Sequence, residues 1–233
     1  MLAAEIALKT TLFPVLIAQA LRVRRQAQLL PEPPGARAGV AGAGPELRLM
    51  ILGDSSAAGV GAAHQKEALS GRLVAELSRS HRVSWRLEAV TGATTGSTLA
   101  RLDGLPRAAY DIVILVLGVN DVTSQLPLSR LRARRRELHH RLRSEFSARR
   151  IIAAGLPPMR DFALLPPPLS DVLGLQAARF DEALALDAEA DGVEYMRFAL
   201  PLEPHLMATD GFHPSAAAYA IWAGLAAERI RAG

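Results

Sequence analysis

The run DIVILVLG, residues 111–118, constrains the fold more than any other feature of the sequence. It is continuously apolar, rich in β-branched residues, and bounded by Asp111 and Gly118. A half-exposed strand alternates apolar and polar residues, whereas an unbroken apolar run is typical of a strand covered on both faces. The run therefore predicts a central strand in a sheet that has helices on both sides.

Strand-like and helix-like segments alternate around this run. The other strand-like segments are LRLMILG, VSWRLEAVTG, RIIAAG and VEYMRF, and segments with helical periodicity lie between and after them. Such alternation is typical of a parallel sheet whose connections are right-handed crossover helices. A chain of 233 residues has room for one sizeable domain of this kind. We predict an α/β fold with a five-stranded, mainly parallel sheet over residues 47–233.

The first 46 residues differ from the rest. We predict an apolar or amphipathic helix in residues 1–29 and a Pro/Gly-rich linker in residues 30–46. The apolar stretch Thr10–Leu21 is too short for a confident membrane span. It is similar to the apolar part of a signal peptide, but Glu5 and the arginines after Leu21 favour an uncleaved helix, lying on a membrane or as a lid on the domain. We expect a cytoplasmic or membrane-associated protein, with export by an N-terminal signal as the alternative.

Composition excludes several kinds of site. The chain has no cysteine, which excludes disulfides, thiolate metal sites and a cysteine nucleophile. The formal net charge is +4, and much of the positive charge lies in Ser129–Arg150. A solvated helix face explains this stretch better than an anionic partner does. Phe146 is its only aromatic residue, so we predict no specific nucleic-acid partner.

Polar residues follow the predicted strands at the edge where open parallel sheets bind ligands. The first strand is followed by GDSS, with Ser55 and Ser56. A serine hydroxyl is a weak nucleophile and needs a neighbouring base, usually a histidine that a carboxylate orients. The segment DGFHP supplies Asp210 and His213 three residues apart, on the same side of a turn. The strand ends therefore contain the parts of an acyl-transfer site.

An acyl-transfer site also needs rigid donors for the developing oxyanion. The candidates are the backbone amide of Ser55, the backbone amide of Gly92 and the side-chain amide of Asn120. A glycine suits this role because its backbone can approach a ligand closely.

Four segments together resemble the SGNH/GDSL hydrolase superfamily, in particular its bacterial thioesterase/lysophospholipase-like members. They are GDSSAAG, TGATTGSTLARL, LGVND and DGFHPS, in that order between Gly53 and Ser215. The resemblance implies a flavodoxin-like three-layer α/β/α sandwich with an open site. It also implies a catalytic triad of Ser55, His213 and Asp210, and an oxyanion hole of Ser55, Gly92 and Asn120. The usual leucine after the nucleophile is Ser56 here, and residues 1–46 lie outside the resemblance.

Several residues compete with these assignments. Ser56 is a rival hydroxyl that we expect to be structural, and Gly96 is expected to serve a turn or packing role. His205 is a rival base, but no aspartate stands three residues before it. The remaining histidines, expected at the surface, are His64, His81, His139 and His140. The adjacent pair His139–His140 lacks the spacing of a zinc motif, and we predict no metal and no cofactor.

The sequence favours cleavage of a small acyl ester, either lipid-like or simple, over other functions. The apolar loop segments Leu156–Gly174 and Phe198–Asp210 would supply a wall for the acyl group. A carbohydrate O-deacetylase is the alternative within the same chemistry. A flavin- or phosphate-binding protein and a membrane-surface module with an inactive site are rivals from other classes, although GDSSAAGVG matches neither common phosphate-binding motif. No oligomeric state is predicted.

Overall fold

A computed structural model describes residues 11–233, and strands and helices alternate along them. The strands of this part of the chain are β1 Ala38–Ala41, β2 Glu46–Gly53, β3 Arg82–Ala89, β4 Ile112–Val116, β5 Arg150–Ala154 and β6 Glu194–Met196. The helices are α1 Phe13–Gln26, α2 Ser55–Ala58, α3 Leu69–Leu77, α4 Thr95–Leu102, α5 Val119–Thr123, α6 Leu128–Phe146, α7 Leu169–Ala190 and α8 Ala216–Arg231. Short 3₁₀ turns lie at Gln65–Glu67, Met159–Asp161 and Pro204–Leu206.

The strands form one sheet in the order β1-β3-β2-β4-β5-β6. The pairs from β3 to β6 are all parallel, so the predicted parallel core is confirmed. The sheet has six strands in the described residues rather than the five predicted, because β1 adds to β3 as an antiparallel edge strand. β1 lies within the segment predicted as a linker. Its sequence, AGVA, is short and mostly exposed, so it carries no apolar pattern that would indicate a strand.

Helices cover both faces of the sheet, which confirms the three-layer α/β/α architecture. Along β2, Leu49 and Ile51 point to one face and pack with residues of α3 and α8. Met50 and Leu52 point to the other face and pack with residues of α4 and α6. The fully apolar β4 contributes to both clusters, as expected of a strand buried on both sides.

α1 lies on the surface of the domain, one of the two placements that the sequence allowed. Leu16 is buried in a cluster with residues of α7. The side chain of Gln19 accepts a hydrogen bond from the amide of Leu169 and donates one to the carbonyl of Pro167, at 3.1 and 2.7 Å. No helix within residues 11–233 combines the length and the apolar character needed to cross a bilayer. Residues 1–10 of the predicted N-terminal helix lie outside the described residues.

The arginine-rich stretch forms α6, and many of its side chains pair with neighbouring acids. Arg132 binds both carboxylate oxygens of Asp187 on α7, at 2.7 and 2.5 Å. Arg141 binds Glu145 on its own helix and Asp103 at the end of α4. Arg135 is buried and donates to the carbonyl oxygen of Leu117 at 3.1 Å. These ion pairs attach α6 to its neighbours, so much of the basic stretch serves packing within the domain.

Candidate active site

The predicted site segments begin at the carboxyl ends of neighbouring parallel strands. β2 ends at Gly53, directly before Asp54 and Ser55, and β4 ends two residues before Gly118. β3, on the other side of β2, leads into the loop that holds Gly92. The sheet order therefore brings three of the predicted segments to one edge.

The turn after β2 is built to present Ser55. A side chain at Gly53 would place its Cβ 2.4 Å from the carbonyl oxygen of Val116, so only glycine fits where the two strands approach. Asp54 caps the short helix α2 by accepting a hydrogen bond from the amide of Ser56 at 3.0 Å. Ser55 is the first residue of α2, where a backbone amide has no acceptor within the helix. Its amide is thus available as a donor beside its own hydroxyl.

The segment before α8 presents Asp210 and His213 on one side of a tight turn. Gly211 has φ +64°, a conformation that side chains other than glycine rarely adopt. Oδ1 of Asp210 accepts hydrogen bonds from the amides of Phe212 and His213, both at 3.0 Å. The amide of Ala208 donates to the carbonyl oxygen of His213 at 2.8 Å, which fixes the loop from outside. The backbone thus holds the imidazole and its carboxylate together.

Ser55, His213 and Asp210 form a continuous hydrogen-bonded relay. Nε2 of His213 lies 2.8 Å from Oγ of Ser55, and Nδ1 lies 2.5 Å from Oδ2 of Asp210. Both distances are within hydrogen-bond range, and each ring nitrogen faces one partner. The arrangement can remove a proton from the serine hydroxyl and hold the resulting imidazolium against a carboxylate.

Two buried carboxylates at the site have pKa values that are shifted in opposite directions. Burial raises the pKa of Asp210, but hydrogen bonds from the ring and amide of His213 and from the amide of Phe212 outweigh it, so the pKa lies below its usual value. Asp210 is therefore ionised at neutral pH. For Asp54, burial dominates and raises the pKa to about 6, against the opposing effects of the Ser56 amide and of His213. Asp54 caps α2 and does not contact the imidazole through a hydrogen bond in the described structure.

Asn120 lies on the short helix after β4, and its neighbours tie that helix to the loop after β3. Its side-chain Nδ2 donates to the carbonyl oxygen of Ala93 at 3.1 Å. Asp121 is fully buried and accepts hydrogen bonds from the amide and hydroxyl of Thr95, the latter at 2.7 Å. One proton of the Asn120 amide is thus engaged with backbone, and the other is free to face a ligand. The carboxylate of Asp121 thus ties α5 to the start of α4.

The two glycines of the second segment have different surroundings. Gly92 lies in an exposed turn with φ +80°, and no atom lies within 4 Å of a Cβ built on it. Gly96 lies in the first turn of α4, where amides lack an acceptor within the helix. It directly follows Thr95, which is bonded to Asp121 beside Asn120. The oxyanion role expected for Gly92 and the turn or packing role expected for Gly96 both stay predictions, and the position of Gly96 in the first turn of α4 makes its amide a further candidate donor.

An apolar cavity of about 50 Å³ opens beside Ser55. Leu156, Pro157 and Phe162 line it from the first of the predicted apolar loops. Phe198, Leu200 and Leu202 line it from the second. Ala218 and Trp222 line it from α8. The cavity suits an apolar group attached to a carbonyl at Ser55.

The structure separates the rival residues from this relay. The amide of Ser56 is bound to Asp54, and His205 is exposed beside Glu203, with Nδ1 3.4 Å from its carboxylate. The expectation that His139 lies at the surface is wrong. It belongs to the inward face of α6, with Leu131, Arg135, Leu138, Leu142 and Phe146, and its side chain is 2% exposed. Nowhere in residues 11–233 do three or more His, Asp or Glu side chains cluster so as to hold a metal ion.

Fold and site together define a class, the three-layer α/β proteins with a hydroxyl–imidazole–carboxylate relay at the carboxyl edge of the sheet. The sequence pattern of the family described as GDSL-like Lipase/Acylhydrolase matches residues 51–221, most of the chain. The chain belongs to this family, which confirms the resemblance seen in the sequence.

Individual relatives agree with this assignment. The chain is 27% identical over 192 residues to a GDSL-like esterase of Mycobacterium tuberculosis, an alignment that covers 77% of this chain and 60% of the relative. The chain thus spans less than two thirds of that protein. The crystal structure of Axe2, an acetylxylan esterase from Geobacillus stearothermophilus, matches 80% of this chain and 95% of its own at TM-score 0.60 and 17% identity. The crystal structure of the psychrotrophic esterase EstA from Pseudoalteromonas sp. matches 79% of this chain and 96% of its own, at TM-score 0.59 and 21% identity. These structures share the fold.

Proposed function

We propose that the protein hydrolyses carboxylic esters through an acyl-enzyme on Ser55, with His213 as general base and Asp210 as its orienting carboxylate. The observation that carries the proposal is the relay of 2.8 and 2.5 Å between the three side chains. Family membership supports the same reaction class.

The geometry supports the following sequence of steps. His213 Nε2 takes the proton of Ser55 as Oγ attacks the ester carbonyl, and Asp210 stabilises the imidazolium. The oxyanion accepts hydrogen bonds from the Ser55 amide, from Asn120 Nδ2 and from an amide of the loop Gly92–Gly96. The carbon–oxygen bond of the ester then breaks, and the leaving alkoxide takes the proton from His213. Water repeats the steps on the acyl-enzyme and releases the acid.

The cavity supports a small apolar acyl group. A water-sized group needs about 10–15 Å³ of cavity. A cavity of about 50 Å³ therefore holds about four such groups. Acetyl to butyryl esters fit this limit. The alcohol side would face the open edge of the sheet, which is compatible with a simple alcohol or an acetylated sugar. The second candidate function is a carbohydrate O-deacetylase. It is supported by the acetylxylan esterase among the structural neighbours.

A panel of p-nitrophenyl esters from acetyl to dodecanoyl, run beside an acetylated xylan, tests the proposal. We expect kcat/KM to be highest for acetyl to butyryl esters. Faster release of acetate from the xylan than from every simple ester would favour the deacetylase. No hydrolysis of any ester would contradict the proposed function. A flavin-binding protein would instead purify with a visible absorbance band.

We also propose that α1 holds the enzyme on an anionic lipid surface. Phe13, Ile17 and Leu21 are spaced four residues apart on one side of the helix, and they are 61%, 45% and 50% exposed. Exposed arginines 22, 24 and 25 follow at its end, where they would meet acidic headgroups. The opposite side holds Leu16 and Gln19 against the domain.

Vesicle sedimentation tests this contact. We expect binding to phosphatidylglycerol vesicles, little binding to phosphatidylcholine vesicles, and loss of binding when Phe13, Ile17 and Leu21 are all replaced by serine. Leu186→Ser on α7, at a leucine that is 63% exposed, is the matched control and should still bind. Equal sedimentation of the triple variant and the control would contradict the proposal.

A further inference from the structure

A second small cavity lies directly behind the one at Ser55. It has a volume of about 10 Å³. The two cavities share part of their walls: Ala154, Gly155, Phe198, Leu200 and Trp222. The second cavity alone is lined by Leu225, which is 37% exposed, and so reaches toward the protein surface.

The order of the lining residues along α8 shows how the two cavities are arranged relative to the helix axis. Ala218 lines only the cavity at Ser55, Trp222 lines both, and Leu225 lines only the second. These positions are spaced i, i+4 and i+7, so they share one face of the helix. At 1.5 Å per residue they extend over about 10 Å of its axis. The cavities therefore follow one another along α8, away from Ser55.

Trp222 is the large side chain of α8 at the point where the cavities meet. It is 7% exposed, and its ring lies parallel to that of Tyr219, with an interplanar angle of 5° and centroids 6.5 Å apart. Tyr219 is itself fixed by a hydrogen bond from its hydroxyl to the carbonyl oxygen of Val60 at 2.7 Å. Two small residues at the end of β5, Ala154 and Gly155, line both cavities together with Trp222. The fixed side chain of Trp222 thus borders both cavities.

We propose that the two cavities are the near and far parts of one binding channel for an unbranched acyl chain, and that Trp222 closes it and sets the length of chain accepted. This inference rests on the proposed ester hydrolysis at Ser55. The walls are mostly apolar, with the exposed Arg197 as the charged residue of the far part, so each methylene that enters the channel gains about fourfold in kcat/KM, from about 0.8 kcal/mol per buried methylene. Trp222 contacts the acyl chain and takes no part in bond breaking.

Replacement of the indole tests the channel. In Trp222→Leu we expect the preference to move from butyryl toward octanoyl esters, with the octanoyl-to-acetyl ratio of kcat/KM rising by about tenfold or more. Trp222→Phe should keep a ratio close to that of the parent protein. Ile221→Ala, at a neighbouring exposed residue of α8 that lines neither cavity, is the control and should leave the ratio unchanged.

An optical measurement keeps the proposal testable even where Trp222→Leu fails to fold. Trp85→Phe leaves Trp222 as the single tryptophan. In this variant Ser55 is labelled with a phosphonate ester that carries a bromine at the end of a butyl chain. The label should quench the fluorescence of Trp222. The same label in Trp222→Phe should leave Trp85 fluorescence unchanged.

The outcomes separate the two claims. An active parent protein whose Trp222→Leu variant keeps acetyl turnover and the parental chain preference would overturn the channel alone, as would a Ser55 adduct that leaves Trp222 unquenched. A parent protein inactive on every ester and unlabelled at Ser55 would overturn the proposed function, and the channel with it.

Discussion

Residues 11–233 contain two partly or fully buried histidine–aspartate pairs that look alike and differ in what lies beyond the ring. In one, Nδ1 of His213 faces Asp210 at 2.5 Å and Nε2 faces Ser55 at 2.8 Å. In the other, Nδ1 of His139 faces Asp191 at 2.9 Å, and Nε2 is buried with no hydrogen-bond partner in residues 11–233. The side chain of His213 is 15% exposed at the sheet edge, and that of His139 is 2% exposed. An imidazole with a carboxylate becomes a catalytic base only where its second nitrogen meets a hydroxyl that substrate can reach.

The surroundings of His139 also keep it uncharged. Burial lowers its pKa to about 4, only partly opposed by the hydrogen bond with Asp191, and the nearby cations Arg135 and Arg143 lower it further. The second pair is therefore a packing element between α6 and the end of α7. The following variants test this contrast.

Removal of the nucleophile should have the largest effect. Ser55→Ala should reduce kcat by about 10⁶-fold, because the relay then has no group to activate. Ser56→Ala is the matched control, and its kcat should stay within about threefold of the parent value, since the structure bonds Ser56 to Asp54 only through its backbone amide. Steady-state hydrolysis of p-nitrophenyl acetate measures both. Loss of activity in Ser56→Ala but not in Ser55→Ala would mean that Ser56 is the nucleophile.

Neutralising the two carboxylates compares the pairs directly. Asp210→Asn should lower kcat by about 10⁴-fold, because an amide no longer stabilises the imidazolium or selects its tautomer. Asp191→Asn should change kcat by less than about twofold and should instead lower the free energy of unfolding by about 1–3 kcal/mol. Kinetics and urea denaturation of both variants separate the effects. A large loss of kcat in folded Asp191→Asn would contradict the view that only the His213–Asp210 pair is catalytic.

Loss of the side-chain oxyanion donor should have an intermediate effect. Asn120→Ala should lower kcat by about 10²–10³-fold with little change in KM, because the donor acts on charge that develops in the transition state. An increase in KM at constant kcat would instead mean that Asn120 binds the ground-state substrate.

A backbone substitution identifies the glycine donor. Gly96→Pro removes the amide at a position in the first turn of α4, where proline is tolerated, and should lower kcat by about 10²-fold. Gly96→Ala keeps the amide and displaces only the end of the Arg134 side chain, so it should stay near the parent activity. Full activity of Gly96→Pro would mean that the Gly96 amide does not bind the oxyanion, and Gly92 would remain the candidate donor.

The smallest catalytic effect is expected for His139→Gln, whose main consequence is on the pH dependence of stability. With a folded pKa of about 4 and an unfolded value near 6.5, the unfolded chain binds a proton in this window and the folded chain does not. The parent protein should therefore lose about 3 kcal/mol of stability from this residue as pH falls from 6.5 to 4. Urea denaturation at several pH values should show a shallower loss in His139→Gln. Equal slopes would contradict the account.

Much of the fold was predictable because its signals are local. The runs of β2, β4 and β5 are apolar enough to indicate buried strands, and their carboxyl ends meet once the sheet is parallel. Asp210 and His213 lie within one turn of chain, so their pairing needed no long-range information. The contact of His213 with Ser55, 158 residues away, was expected only from the motifs and their order.

The features that sequence reasoning missed depend on tertiary neighbours. β1 forms because β3 offers an open edge, and nothing in AGVA itself requires a strand. His139 was expected at the surface because no motif lies near it, although its spacing from Leu131 and Leu142 was a usable signal of the inward face of α6. Trp222 reads as one apolar residue of an alanine-rich helix, and only the packed structure places it between two cavities.

Covalent labelling tests the central claim, that His213 activates Ser55, most directly. A p-nitrophenyl phosphonate should form a single adduct, located on Ser55 by peptide mass spectrometry, with complete loss of ester hydrolysis. The labelling rate should fall by several orders of magnitude in His213→Ala and stay unchanged in His139→Gln. Equal labelling of Ser55 in His213→Ala, or hydrolysis that survives complete modification of Ser55, would contradict it.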